Sequence, residues 1–125
     1  MRSAFILALV LAGCAPADSV HLLTGDDQMT RNGAGCYTNF AAGLLTADPV
    51  NGTRIADEST GGPGAPVVAV MWPPGFTARR SGGEVEVLDR SGGVIVTTGN
   101  RYQIEGGYIG DIDRVFLACG YVLPK

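Results

Sequence analysis

The sequence predicts an all-β fold, either a small antiparallel barrel of five to seven strands or a compact sandwich. Three observations predict it. The apolar residues fall in short runs cut by turn chemistry: Asn51-Gly52, Pro73-Pro74-Gly75, Gly99-Asn100 and Gly106-Gly107 each interrupt a strand-like segment. The 19 glycines follow no fixed period, which excludes collagen-like and solenoid architectures. No stretch carries a sustained helical period flanked by caps.

The elements follow in chain order. Residues 37–46 (YTNFAAGLLT) form a first strand, with Gly43 as a bulge or bend. Asp48-Pro49-Val50-Asn51-Gly52 is a turn, and residues 53–56 extend a second short strand. Residues 58–66 (ESTGGPGAP) make a loop. Residues 67–72 (VVAVMW) are apolar without alternation, the pattern of a strand buried on both faces. The Pro-Pro-Gly ends it, and residues 76–80 form another short strand. In residues 84–88 (EVEVL), Glu84 and Glu86 fall on one face and Val85 and Val87 on the other. Residues 89–92 (DRSG) are a hairpin turn leading to residues 94–98. Gly99-Asn100 is a two-residue hairpin signal, so residues 101–104 are expected to pair back. Gly106-Gly107 breaks or bulges that strand, residues 110–114 form a loop or one helical turn, and residues 115–123 (VFLACGYVL) close the domain. Segments 67–80, 84–98 and 101–109 together read as an antiparallel meander. A domain this small does not easily fill two large sheets, and closure removes exposed edges. A barrel resembling an OB-fold is therefore preferred to the sandwich.

The N-terminus is read as an address, separate from the fold. Arg2 is the sole charged side chain before Cys14, and residues 4–11 (AFILALVL) are unbroken apolar. That run suits a signal-peptide core and is far short of the roughly 20 residues a membrane-spanning helix needs. Leu11-Ala12-Gly13-Cys14 follows. This motif resembles the lipobox of bacterial lipoproteins. The resemblance implies cleavage before Cys14, a diacylglyceryl group on its sulfur, and anchoring to a membrane through that lipid. Ala15, not Asp, follows the cysteine. In lipoproteins of Gram-negative bacteria this favours the outer membrane, facing the periplasm. The expected organisation is a signal peptide over residues 1–13, a lipidated tether over 14–35 and a single β-domain over 36–125. Within the tether, the apolar patch 20–23 is free either to dock on the domain or to form a short strand. The domain also resembles small uncharacterised bacterial lipoproteins in its Gly35-Cys36, its Trp72-Pro73, its valine hairpin over 85–96 and its Gly106-Gly107. That resemblance brings no activity with it.

Composition narrows the function classes. The chain has 125 residues, enough for one core, and a formal charge of −3. Arg79-Arg80 is the sole adjacent basic pair, so nothing marks a nucleic-acid partner. With Cys14 lipidated, Cys36 and Cys119 remain. In an oxidising compartment an even count predicts a Cys36–Cys119 disulfide, the alternative being two buried thiols.

No catalytic set emerges, and no metal site or cofactor is expected. His21 is the single histidine and lies in the expected tether, away from any nucleophile. Asp111 and Asp113 lack the further oxygens of a calcium loop. Glu84 and Glu86 read most simply as the wet face of a half-buried strand. Trp72 is a candidate contact for a sugar ring or partner pocket, set against its role as a core anchor. Arg79 and Arg80, on opposite faces of a strand, are candidate contacts for an anionic group. The expectation is a non-catalytic envelope lipoprotein serving as a protein-interaction or structural module. The alternative is a binding module for an envelope glycan or small ligand.

Overall fold

The computed structural model describes residues 18–25, 39–60, 66–110 and 114–124. Cys14 and Cys36 lie outside them, as do Asp111 and Asp113. The fold is all-β. Its strands are β1 (Ser19–Val20), β2 (Asn39–Asp48), β3 (Gly52–Ala56), β4 (Val67–Met71), β5 (Thr77–Ser81), β6 (Glu84–Leu88), β7 (Val94–Thr97), β8 (Arg101–Ile109) and β9 (Val115–Pro124). A 3-10 turn, Glu58–Thr60, follows β3.

Five strands close a barrel in the order β2-β3-β4-β9-β8. All its pairings are antiparallel except β4 with β9, which run parallel with Ala69 opposite Val115 and Met71 opposite Leu117. Within the barrel the sequence order is therefore first, second, third, fifth, fourth. This is a five-stranded Greek-key closure of the OB-like kind. The other four strands form a separate sheet, β1-β5-β6-β7, inserted between the third and fourth barrel strands apart from β1.

Closure demands bends, and glycine supplies them. β2 pairs with β8 over Asn39 to Leu44 and with β3 over Leu45 to Asp48, so it must turn from one neighbour to the other near Gly43. A Cβ on Gly43 would lie 1.8 Å from the Ala56 carbonyl oxygen. A Cβ on Gly106 would lie 1.8 Å from the Leu117 carbonyl oxygen, and the β8–β9 register shifts between Ile104 and Gly106. The bend at Gly43 and the paired Gly106 beside the register shift are close backbone approaches that a side chain would block.

The meander is confined to β5-β6-β7. The broader meander expected from the sequence is corrected on both sides. β4 belongs to the barrel, and Pro73-Pro74-Gly75 carries the chain out of it. Gly99-Asn100 is not a hairpin: β7 and β8 lie in different sheets. The Gly99 amide donates to the Leu45 carbonyl at 2.7 Å, and the Leu45 amide donates to the Asn100 carbonyl at 3.0 Å. The turn is thus stitched to β2 as the chain crosses back to the barrel. Local turn chemistry marks where a strand ends, not which strand it pairs with next. β4 is also less buried than its unbroken apolar run suggests. Val70 is fully buried but Val67, at the start of β4 opposite Ala56, is 58% exposed.

The expected tether contributes to the fold. Its apolar patch docks: Ser19 and Val20 pair with Arg79 and Ala78, and Leu22 enters the core. The Leu23 amide donates to the Asn51 carbonyl at 2.9 Å. The folded unit therefore takes in residues ahead of the boundary at 36.

One core joins the two sheets. Leu45, Ile55, Val70, Ile104 and Phe116 from the barrel share a cluster with Val85, Val87 and Val96 from the inserted sheet. Trp72 sits where the chain leaves one for the other, with none of its surface exposed. Its indole Nε1–H donates to the Thr53 hydroxyl at 2.9 Å, and its ring stacks on Phe76. Its backbone amide donates to the Leu23 carbonyl, and its carbonyl accepts from the Gly25 amide.

Replacing Trp72 with Phe keeps an aromatic ring but leaves the buried Thr53 hydroxyl without its donor. Urea unfolding should show a loss of about 2–4 kcal/mol. Thr53→Val combined with Trp72→Phe should cost less than the sum of the two single changes. Full additivity would argue against the bond.

Candidate functional site

Two regions gather polar chemistry among the described residues, one at each end of β2. The first is built on Asp57, directly after β3. The Asp57-Glu58-Ser59 run makes an Asx turn: Asp57 Oδ1 accepts from the Ser59 amide at 3.0 Å and from the Ser59 hydroxyl at 2.6 Å. Asp89-Arg90-Ser91 makes the same two bonds at 2.9 Å and 2.6 Å. The two turns differ in what else they reach. Asp89 accepts one further bond from Gly93 at its own hairpin. Asp57 is fully buried and reaches across the barrel wall, accepting from the Ala42 amide of β2 at 3.1 Å and from the Tyr108 hydroxyl of β8.

Burial pushes the Asp57 carboxyl up, but its hydrogen bonds from Ser59, Tyr108 and Ala42 together outweigh burial and hold it below its ordinary value of 3.8. The Tyr108 hydroxyl is pushed well above the ordinary tyrosine range, by burial first and then by its bond to the Asp57 carboxylate and that group's charge. It stays a neutral donor. Its ring packs edge-on against Phe116 at 5.2 Å, and the Arg114 guanidinium lies 4.2 Å from its centroid. This knot ties β2, the 3-10 turn and β8 together.

Beside the knot lies an open groove of about 380 Å³ lined by Phe40, Ala42, Glu58 and Ser59. Phe40 is 40% exposed there. Arg101 pairs with Glu58 on the rim, both largely in water, so that pair contributes little stability.

The second region is a groove of about 310 Å³ between the turn after β2 and the inserted sheet. It is lined by Val20, Ala47, Asp48, Pro49, Arg80 and Val85. Asp48 accepts from the Val50 amide at 2.9 Å, a bond that lowers its pKa below the ordinary value and keeps it charged.

No family model, curated protein or solved structure matches the chain. Its chemistry is therefore read from these residues alone.

The candidates taken from the sequence scatter. Of the two roles weighed for Trp72, the structure shows the core anchor and not the surface contact: its ring is fully buried and its indole N–H is bonded internally. Arg79 pairs with Glu86 at 2.8 Å on the outer face of the inserted sheet. Arg80 lies opposite Val85 in the β5–β6 register and lines the second groove. Glu84 accepts from the buried Thr98 hydroxyl at 2.6 Å, and that hydroxyl accepts from the Val85 amide at 2.8 Å. Glu84 and Glu86 thus serve different partners. Cys119 is half-buried in β9, and His21 is exposed. No group of three or more His, Cys, Asp or Glu able to hold a metal occurs among the described residues.

Sequence reasoning passed over Asp57 and Ser59, read Asp48 as a turn residue, and weighed Tyr108, with Tyr37, Phe40 and Tyr102, as an aromatic contact set against a place in the core. The Asp-x-Ser spacing signalled a turn at 57–59 as clearly as at 89–91, but nothing local told that Asp57 would be buried against β2 and β8.

Asp57 gives the fold a sign-defined pH dependence. Its folded pKa is depressed, so its contribution is present above the ordinary carboxylate value and is lost as pH falls through the folded one. Tyr108→Phe removes one of the lowering bonds. Denaturant melts should show a loss of about 1–3 kcal/mol at neutral pH, a shallower decline below about pH 4, and an acid midpoint at higher pH. A neutral-pH stability equal to the parent's would refute this account of the knot.

Proposed function

We propose that the chain is a non-catalytic bacterial envelope lipoprotein, anchored through lipidated Cys14, whose β-domain serves as a protein-interaction module. In a Gram-negative host it faces the periplasm from the outer membrane. The lipobox-like Leu11-Ala12-Gly13-Cys14 supports the anchor. One structural observation carries the interaction reading: β7 is an open edge. The barrel is closed, and β1 is two residues long, whereas among the described residues β7 (VIVT) pairs with β6 alone. Val94 is 45% exposed, and the strand holds no Lys, Pro or acid of the kind that blunts edges. The Thr97 amide donates to the Tyr102 hydroxyl, which covers one end and leaves the stretch from Val94 to Val96 for a partner strand.

A Cys36–Cys119 disulfide belongs to the same proposal. Asn39 and Ala118 are both registered against Gly106, and Cys36 stands three residues before Asn39. Two strand spacings of about 4.8 Å each are within reach of that segment. A free-thiol assay on oxidised, denatured protein should find neither thiol reactive; two reactive thiols would remove the bond.

Crosslinking in the native envelope tests the main reading. A captured partner should be lost with Val94→Lys at an unchanged melting temperature, and with Cys14→Ser, which should also abolish fatty-acid labelling. Capture indifferent to Val94→Lys would move the contact elsewhere.

A second reading has its own observation. Phe40, half in water beside Glu58 and Ser59, is an aromatic face next to hydrogen-bonding groups, an arrangement suited to a glycan ring. Phe40→Ala should then abolish retention on an envelope glycan without altering the melt.

A further inference from the structure

We infer that the groove between the turn after β2 and the inserted sheet binds the zwitterionic headgroup of a membrane lipid, a phosphate joined to an ammonium. The inference rests on the anchor reading and deepens it.

Distance is the first argument. Three residues separate Cys14 from Asp18, where the described fold begins. Fully extended, that span reaches about 14 Å. The Asp18 carbonyl accepts from the Arg80 amide at 2.7 Å, and Ser19 and Val20 run as β1 along β5. Val20 and Arg80 both line the groove. A lipid on Cys14 therefore keeps the start of the fold, beside this groove, within about 14 Å of the anchored cysteine.

Charge is the second. The groove presents one cation and one anion that are not paired with each other: among the described residues no ion pair involves Arg80 or Asp48. Arg80 shares its face of the sheet with buried Val85, so it borders the interior of the groove and not the outer face where Arg79 meets Glu86. Asp48 is held ionised first by the Val50 amide, then by the Asn51 amide and side chain, with a smaller contribution from the charge of Arg54, which makes no ion pair with it. A purely anionic ligand would meet the Asp48 carboxylate, and a purely cationic one would meet Arg80. A phosphate on the guanidinium with an ammonium toward the carboxylate satisfies both. Val20, Ala47, Pro49 and Val85 supply apolar walls for the linking carbons.

The test uses the chain from residue 14 onward carrying Cys14→Ser, so that no anchor contributes. NMR titration with phosphoethanolamine should shift the amides of Val20, Ala47, Asp48, Arg80 and Val85. Glycerol phosphate and ethanolamine, each carrying charge of one sign only, should bind about tenfold more weakly. Arg80→Gln should weaken phosphoethanolamine about tenfold, and Asp48→Asn should erase its advantage over glycerol phosphate. Vesicles containing phosphatidylethanolamine should retain the protein better than vesicles of phosphatidylglycerol. Shifts elsewhere, indifference to Arg80→Gln, or preference for the anionic vesicles would overturn the proposal. Fatty-acid labelling of the unaltered chain is read separately. A labelled Cys14 with an inert groove overturns the headgroup site and keeps the anchor, whereas an unlabelled Cys14 removes the membrane setting itself.

Discussion

The buried bond from the Trp72 indole to the Thr53 hydroxyl stands at the point where two β-structures would otherwise separate. The chain leaves the barrel at Trp72, builds three strands of a second sheet, and returns at Arg101. A junction of that kind has few ladder bonds of its own. Trp72 compensates with a large buried ring, one internal hydrogen bond, stacking on Phe76, and backbone bonds to Leu23 and Gly25. The N-terminal segment is therefore a structural part of the junction, and Leu22 seals the same core from the side. Removing that segment would uncover the indole and the edge of β5 together.

The Asp57 knot does for the other end of the barrel what Trp72 does for the junction, with polar chemistry. A fully buried carboxylate is costly unless its lone pairs are satisfied. Here Ala42, Ser59 and Tyr108 satisfy them, and no buried side-chain polar atom lacks a partner among the described residues. The knot is directional, so it fixes how β2 and β8 meet where β2 bends at Gly43. Apolar packing would hold those strands together but would tolerate sliding.

Strand identity was legible where period and punctuation agree. The alternation of Glu84, Val85, Glu86 and Val87 appears in the structure as written, whereas Gly106 and Gly107 stay paired with Ala118 and Leu117 and the register shift falls just before them. Strand partnership was not legible. Gly99-Asn100 carries hairpin chemistry, yet its bonds go to Leu45, more than fifty residues earlier. The burial of Asp57 and the docking of Leu22 were invisible for the same reason, since both are made by contacts distant in sequence. Of the residues singled out in advance, Arg80 lines a groove, whereas Trp72 turned out to be scaffold. A lone tryptophan next to a valine run has the same local sequence in either role.

The parallel pairing of β4 with β9 also governs when the fold can form. β4 ends at Met71 and its partner begins at Val115, so the barrel's wall stays incomplete until residues 115–117 are present. Until then β4 offers an unpaired valine-rich edge, and loop-closure entropy opposes its capture. A chain delivered N-terminus first would thus keep this wall open until β9 follows. Residues 115–117 alone carry the pairing with β4, so a break in that short stretch would open the barrel even with the rest of β9 still paired to β8.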